Sequence, residues 1–168
     1  MRRRVFLVSL AAPSLLAACA GGLGPLTPRT DETTMGGTLI VVRHTERTGE
    51  DLNEVGIARA GELAEALAGV EIDGIFTPAT QRNIDTAQPL ADAKKLEIQV
   101  IPAVDIARTM FKRQPGGTLV WVGNKENLEA LWEEIGAGGE PPINYGEMFI
   151  VPMSGLNASG VERSTFGI

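Results

Sequence analysis

The chain has 168 residues, with 15 Lys and Arg against 21 Asp and Glu, a formal charge of −6, one histidine and one cysteine. That length suits one ordinary domain around a single core. The acidic balance argues against nucleic acid as a partner, and one cysteine excludes an internal disulfide.

The opening reads as an export signal over residues 1–18. Arg2, Arg3 and Arg4 precede an apolar stretch from Val5 to Leu16 that finishes in small residues. The apolar part is too short for a stable membrane span. Leu16-Ala17-Ala18-Cys19 resembles the lipobox of bacterial lipoproteins, which makes Cys19 the expected lipidation site. Arg3-Arg4-Val5-Phe6-Leu7 also resembles a twin-arginine export sequence. Residues 19–37, rich in Gly, Pro and Thr, read as a flexible tether between that anchor and a folded body. The expected location is the periplasmic face of a bacterial membrane, with Ala20 rather than aspartate after the cysteine pointing toward the outer one.

From residue 38 onward, β-rich runs alternate with helical patterns over a domain expected at 38–153. Strands are expected at Thr38–Val42, Gly74–Phe76, Ile98–Ile101, Thr118–Val122 and Met148–Val151. A helix from Asn53 to Ala68 would bury Ile57, Ala60, Leu63, Ala64, Leu67 and Ala68 as one stripe, with Gly69 as its stop. Thr77-Pro78 has the chemistry of a second helix start, a hydroxyl cap followed by proline, which would set Arg82 and Thr86 on one face. Leu128, Leu131, Trp132 and Ile135 make a third stripe before a Gly136–Pro142 loop, and residues 154–168 form a Ser- and Gly-rich tail without an assigned role. The alternation implies an α/β fold, a three-layer α/β/α sandwich around a mostly parallel sheet.

In open α/β sheets, ligands sit beyond the carboxyl ends of the strands. Arg43 and His44 fall there after the first strand, Thr77 and Arg82 after the second, and Asn124 after the fourth. Two guanidinium forks and a helix N-terminus around the only imidazole would form an anion pocket with a nucleophile inside it.

These segments resemble the histidine phosphatase superfamily, whose fold is phosphoglycerate mutase-like. Arg43-His44-Thr45-Glu46 stands where that family has Arg-His-Gly-Glu. Leu52-Asn53-Glu54-Val55-Gly56-Ile57-Ala58-Arg59-Ala60 resembles its Leu-Thr-x-x-Gly-x-x-Gln-Ala segment, and Arg82 with Thr86-Ala87 its Arg-x-x-x-Thr-Ala segment. The resemblance runs from about Leu39 to Val151 and implies a phosphatase of phosphomonoesters or phosphorylated proteins, acting without metal or cofactor through a phosphohistidine on His44. Arg43 and Arg82 would hold the phosphoryl oxygens, with Thr77 and Asn124 completing the phosphate contacts.

The family's second histidine corresponds to Asn124 in Val122-Gly123-Asn124, and no other histidine exists to replace it. An amide donates a hydrogen bond but neither becomes cationic nor relays a proton. Two readings therefore stay open: a phosphatase of reduced efficiency, and a catalytically inactive anion-binding lipoprotein. An envelope protein that uses the fold only as a scaffold is a third. Asp105, in the loop after the third strand, is the first candidate for the acid that protonates the leaving oxygen, and Glu46 the second. Arg47 is a possible third positive group.

Overall fold

The computed structural model describes residues 35–167. The expected signal at 1–18, Cys19 and most of the tether lie outside the described residues.

A central strand β1 (Gly36–Arg43) carries the run Leu39-Ile40-Val41-Val42, every member of which is buried. Such a run suits a strand covered on both faces. Parallel to it lie β6 (Thr118–Gly123), β4 (Gly74–Thr77) and β5 (Ile98–Val100), and antiparallel on its other side lies β7 (Glu147–Ser154). The order across the sheet is β5-β4-β6-β1-β7-β8, where β8 is Asn157–Ala158. A short hairpin of β2 (Arg47–Thr48) and β3 (Asp51–Leu52) stands apart from that sheet, just after β1.

Alternate residues of the strands feed two cores. Leu39, Val41, Phe76, Leu119 and Trp121 pack with Met110 and Phe111 of α3 (Ile106–Arg113) and with Leu128, Leu131 and Trp132 of α4 (Lys125–Glu134). Ile40, Val42, Ile75, Val120 and Val122 pack with Leu63 of α1 (Glu54–Ala66), with Leu67 just beyond it, and with Ala87, Leu90 and Ala91 of α2 (Gln81–Lys94). The result is the three-layer α/β/α sandwich expected from the alternation.

Several local expectations are corrected. Residues 36 and 37 belong to β1 rather than to a tether, and Gly37 sits at φ 141° where a Cβ would strike the Gly117 carbonyl. In α1 the buried stripe is Gly56, Ala60 and Leu63, whereas Ile57 is 62% exposed and Ala68 is exposed, because Gly56 is pressed against the Glu46 carbonyl with no room for a Cβ. Thr77 is the last residue of β4, not a helix cap; α2 begins at Gln81 after an N-cap at Thr80. Helix α3, short and carrying Arg108, Lys112 and Arg113, has no counterpart among the expected elements. The tail assigned to 154–168 continues the fold through β8 and β9 (Glu162–Thr165), which pairs with β7 and brings Phe166 into the core.

Candidate active site

The register Arg43↔Gly123 carries β1 one residue past its last paired side chain, and the His44 N–H then donates to the Gly123 carbonyl at 2.8 Å. His44 thereby sits at the carboxyl end of the central strand, only 2% exposed. Its Nδ1 lies 2.8 Å from the Thr45 carbonyl oxygen, which can only accept, so Nδ1 carries the proton. Nε2 is left with its lone pair, and the Arg82 Nε–H donates toward it at 3.3 Å. Burial holds the imidazole below its ordinary value of 6.5, aided by the charges of Arg43, Arg82 and Arg47 and opposed by the bond to Thr45. A buried, neutral ring with one fixed tautomer is the state that a nitrogen nucleophile requires.

Arg82 is held in place through Thr86, one turn further along α2. The Thr86 hydroxyl donates to the Arg82 carbonyl at 2.8 Å and accepts from the Thr45 N–H at 3.1 Å, with the Thr45 hydroxyl 3.2 Å away. Asn83 adds a bond from its amide nitrogen to the Val122 carbonyl at 2.9 Å, fastening the same helix turn to β6. Sequence-distant Arg82 and His44 thus meet because α2 is pinned to both β1 and β6.

Arg43 points its guanidinium toward the loop before β7. Its Nη1 donates to the Ile143 carbonyl at 2.6 Å, its Nη2 to the Tyr145 hydroxyl at 3.4 Å, and its carbon lies 4.3 Å from the Tyr145 ring centroid. Among the described residues the buried Arg43 Nε has no partner, nor does the buried hydroxyl of Thr77. The Thr77 carbonyl accepts from the Ile101 N–H at 3.0 Å, and among the described residues no side-chain hydrogen bond links Thr77 to His44.

Asn124, next to the Gly123 carbonyl that binds His44, is the N-cap of α4. Its Oδ1 accepts from the Asn127 N–H at 3.3 Å, while Asn127 Oδ1 accepts from the Asn124 N–H at 3.0 Å. That reciprocal box commits the oxygen and leaves only the amide nitrogen to face a ligand.

Among the described residues, no hydrogen bond or ion pair joins either expected acid to the imidazole. Asp105 is exposed at the N-cap of α3, beyond the edge strand β5, with φ 46° and no side-chain cap bond. Glu46 is paired with Arg59, whose Nη2 is 2.8 Å and whose Nε is 2.9 Å from it. Burial works against the Glu46 anion, but those bonds outweigh it and hold the carboxyl below its ordinary range. It stays ionised as a strut under α1. Arg47 is exposed and donates to the Gly49 carbonyl.

Two residues that the sequence reading passed over stand at the site. Glu50, in the β2–β3 turn, holds Arg82 Nη1 at 2.6 Å and is 84% exposed. Tyr145 lies with its ring centroid 5.8 Å from that of His44, tilted by 55°. Tyr145 is the only tyrosine in the chain, two residues before a strand beside β1, and that was the one available signal.

Residues 39–105 match the family model of the histidine phosphatase superfamily, branch 1. That match covers less than half of the chain, and likeness to solved structures shows a shared fold. Among solved structures the chain is similar to Bacillus stearothermophilus YhfR, at 18% identity and TM-score 0.62 over 77% of this chain and 96% of that one. It is similar to the protein histidine phosphatase SixA complexed with tungstate, at 16% identity and TM-score 0.59 over 77% and 95%. The alpha-ribazole phosphatase of Shigella flexneri gives 14% identity and TM-score 0.58 over 78% and 96%. The comparison with curated proteins found no match. The histidine phosphatase match spans β1 with His44, α1, β4, α2 with Arg82, and Asp105; Asn124 and Tyr145 lie beyond it.

Proposed function

We propose that the chain is a phosphatase of phosphomonoesters or phosphorylated proteins, with His44 as the covalent nucleophile. The observation that carries the reading is the pairing of a neutral Nε2 with the Arg82 guanidinium at 3.3 Å while Nδ1 is tied to Thr45. A phosphoryl group seated on Arg82 meets the Nε2 lone pair. The P–N bond forms as the bond to the leaving oxygen breaks, and that oxygen takes a proton from solvent water. Water then attacks phosphorus, the P–N bond breaks, and inorganic phosphate leaves with the ring neutral again. Arg82, and Arg43 through its unpartnered Nε, are the groups that meet the oxygens' charge.

Asn124 takes the place of a second histidine in this proposal. Its amide donates but carries no positive charge and relays no proton, so turnover is slow. Export and lipidation at Cys19 complete the proposal, supported by Leu16-Ala17-Ala18-Cys19. Radiolabelled fatty acid should enter the wild-type chain and not Cys19→Ser.

The test is single-turnover labelling of the full chain in detergent by an activated phosphoryl donor. Acid-labile label should appear on the wild type and not on His44→Asn. Retained oxyanion binding with no label on the wild type would instead favour the silent, anion-binding reading, which the occupation of Arg82 by Glu50 supports.

A further inference from the structure

The Arg43–Tyr145 contact has a fixed direction. A guanidinium only donates, so the Tyr145 oxygen is the acceptor of Nη2 at 3.4 Å, and its own hydroxyl proton is not used there. Among the described residues no acceptor takes that proton. The ring is held by Arg43 stacked at 4.3 Å and by the Arg43 bond to Ile143, and it lies 5.8 Å from the imidazole. Topology brings the phenol and Arg82 to His44 from different sides. Arg82 comes to His44 from α2, on the β4 and β6 side of β1, whereas Tyr145 comes from the β7 side. Asn124, the other polar group near the strand end, has its oxygen committed to capping α4.

We propose that Tyr145 is a further catalytic residue of the His44 site, its hydroxyl donating a hydrogen bond to an oxygen of the phosphoryl group under attack, on the flank away from Arg82. The proposal rests on the reading of His44 as nucleophile. The phenol keeps its proton throughout; it orients the group and stabilises the charge that builds on its oxygens, and Arg43 holds it to that task. A tyrosine serving only as a platform for Arg43 would need its ring and not its hydroxyl.

The experiment measures tungstate binding at equilibrium and hydrolysis of an aryl phosphomonoester by the full chain in detergent. Tyr145→Phe keeps the ring, and should bind tungstate about tenfold more weakly or worse, as loss of a hydrogen bond to a charged group implies. Its kcat should fall about 10-fold to 1000-fold. Because the chain has a single tyrosine, biosynthetic replacement by a fluorinated tyrosine alters this hydroxyl alone and needs no sequence change. The fluorinated phenol is the stronger hydrogen-bond donor and should tighten tungstate binding at neutral pH, whereas a ring that serves only as a platform for Arg43 should not, because fluorine weakens its cation–π face. Tungstate binding that fluorination does not tighten, or a Phe variant that binds tungstate as tightly as the wild type, overturns the proposal. A wild type that binds tungstate but neither hydrolyses the ester nor becomes labelled defeats the phosphatase reading, and the tungstate comparison still decides the contact made by Tyr145.

Discussion

Glu50 occupies the Arg82 guanidinium at 2.6 Å, so the cation nearest the nucleophile already holds a carboxylate where a phosphoryl oxygen would bind. The carboxylate belongs to an exposed turn between two-residue strands, and a solvent-exposed ion pair of this kind contributes only about 0 to 1 kcal/mol. An incoming dianion can displace it at small cost. Glu50→Gln should therefore tighten tungstate binding by up to about fivefold and leave kcat unchanged. A fall in kcat at constant affinity would mean that Glu50 acts as the missing acid instead.

The charge state of His44 gives a pH dependence of known sign. Burial, with three nearby arginines, lowers the folded imidazole below 6.5. On acidification the unfolded imidazole takes up its proton first, so the unfolded state binds more protons between the ordinary value and the lowered one. Stability from this group is complete above pH 6.5 and is lost as pH falls through that window. The wild type should lose Tm on acidification more steeply than His44→Asn, measured by thermal unfolding. Labelling of His44 should persist below pH 6.5, and Arg82→Gln should move its acid limb to higher pH, because one of the charges that disfavour the imidazolium is gone.

Much of this architecture is written in the chain. The runs Leu39–Val42 and Leu119–Val122 consist of consecutive buried residues, and their shortness and β-branched content suit a strand covered on both faces. Arg82 and Thr86 were readable because a helix puts residues four apart on one face, and the same spacing lets Thr86 bond back to the Arg82 carbonyl. What stayed illegible is set by long-range pairing. Glu46 looks like a free acid beside the imidazole until the fold brings Arg59 onto it. Tyr145 sits in an aperiodic loop, and only the antiparallel register of β7 on β1, with Val42 opposite Met148, shows that this loop ends beside His44. Ile57 failed as a core residue because Gly56, which carries no hydrophobic signal, is the face that must approach the Glu46 carbonyl.

That close approach makes Gly56→Ala a sharp test of the turn before α1. The added Cβ would overlap the Glu46 carbonyl, and neither partner can yield without disturbing the Arg59 pair or the Asn53 N–H bond to that carbonyl at 3.1 Å. Overpacking of this kind costs about 1–3 kcal/mol, against which the helix propensity gained over glycine is smaller. Urea unfolding should show the loss as a lower midpoint at constant slope. Equal or greater stability would mean that α1 can slide, and that the Glu46–Arg59 strut does not fix the segment after His44.

Asn124→His separates catalysis from stability at one position. The capping bond from the Asn127 N–H to Asn124 Oδ1 is lost, which costs about 1 kcal/mol and should lower the unfolding midpoint slightly. A histidine there can carry positive charge as it donates to a phosphoryl oxygen, whereas the amide donates only as a neutral group. If the pocket is a slow phosphatase site, hydrolysis of an aryl phosphomonoester should rise by about tenfold or more even as stability falls, since a donor that can be cationic replaces a neutral one. The two effects run in opposite directions, so a general disturbance of α4 cannot imitate the gain. A variant that loses stability and gains no rate would show that the group at residue 124 does not meet the transferred phosphoryl, leaving Arg82, Arg43 and Tyr145 to hold it.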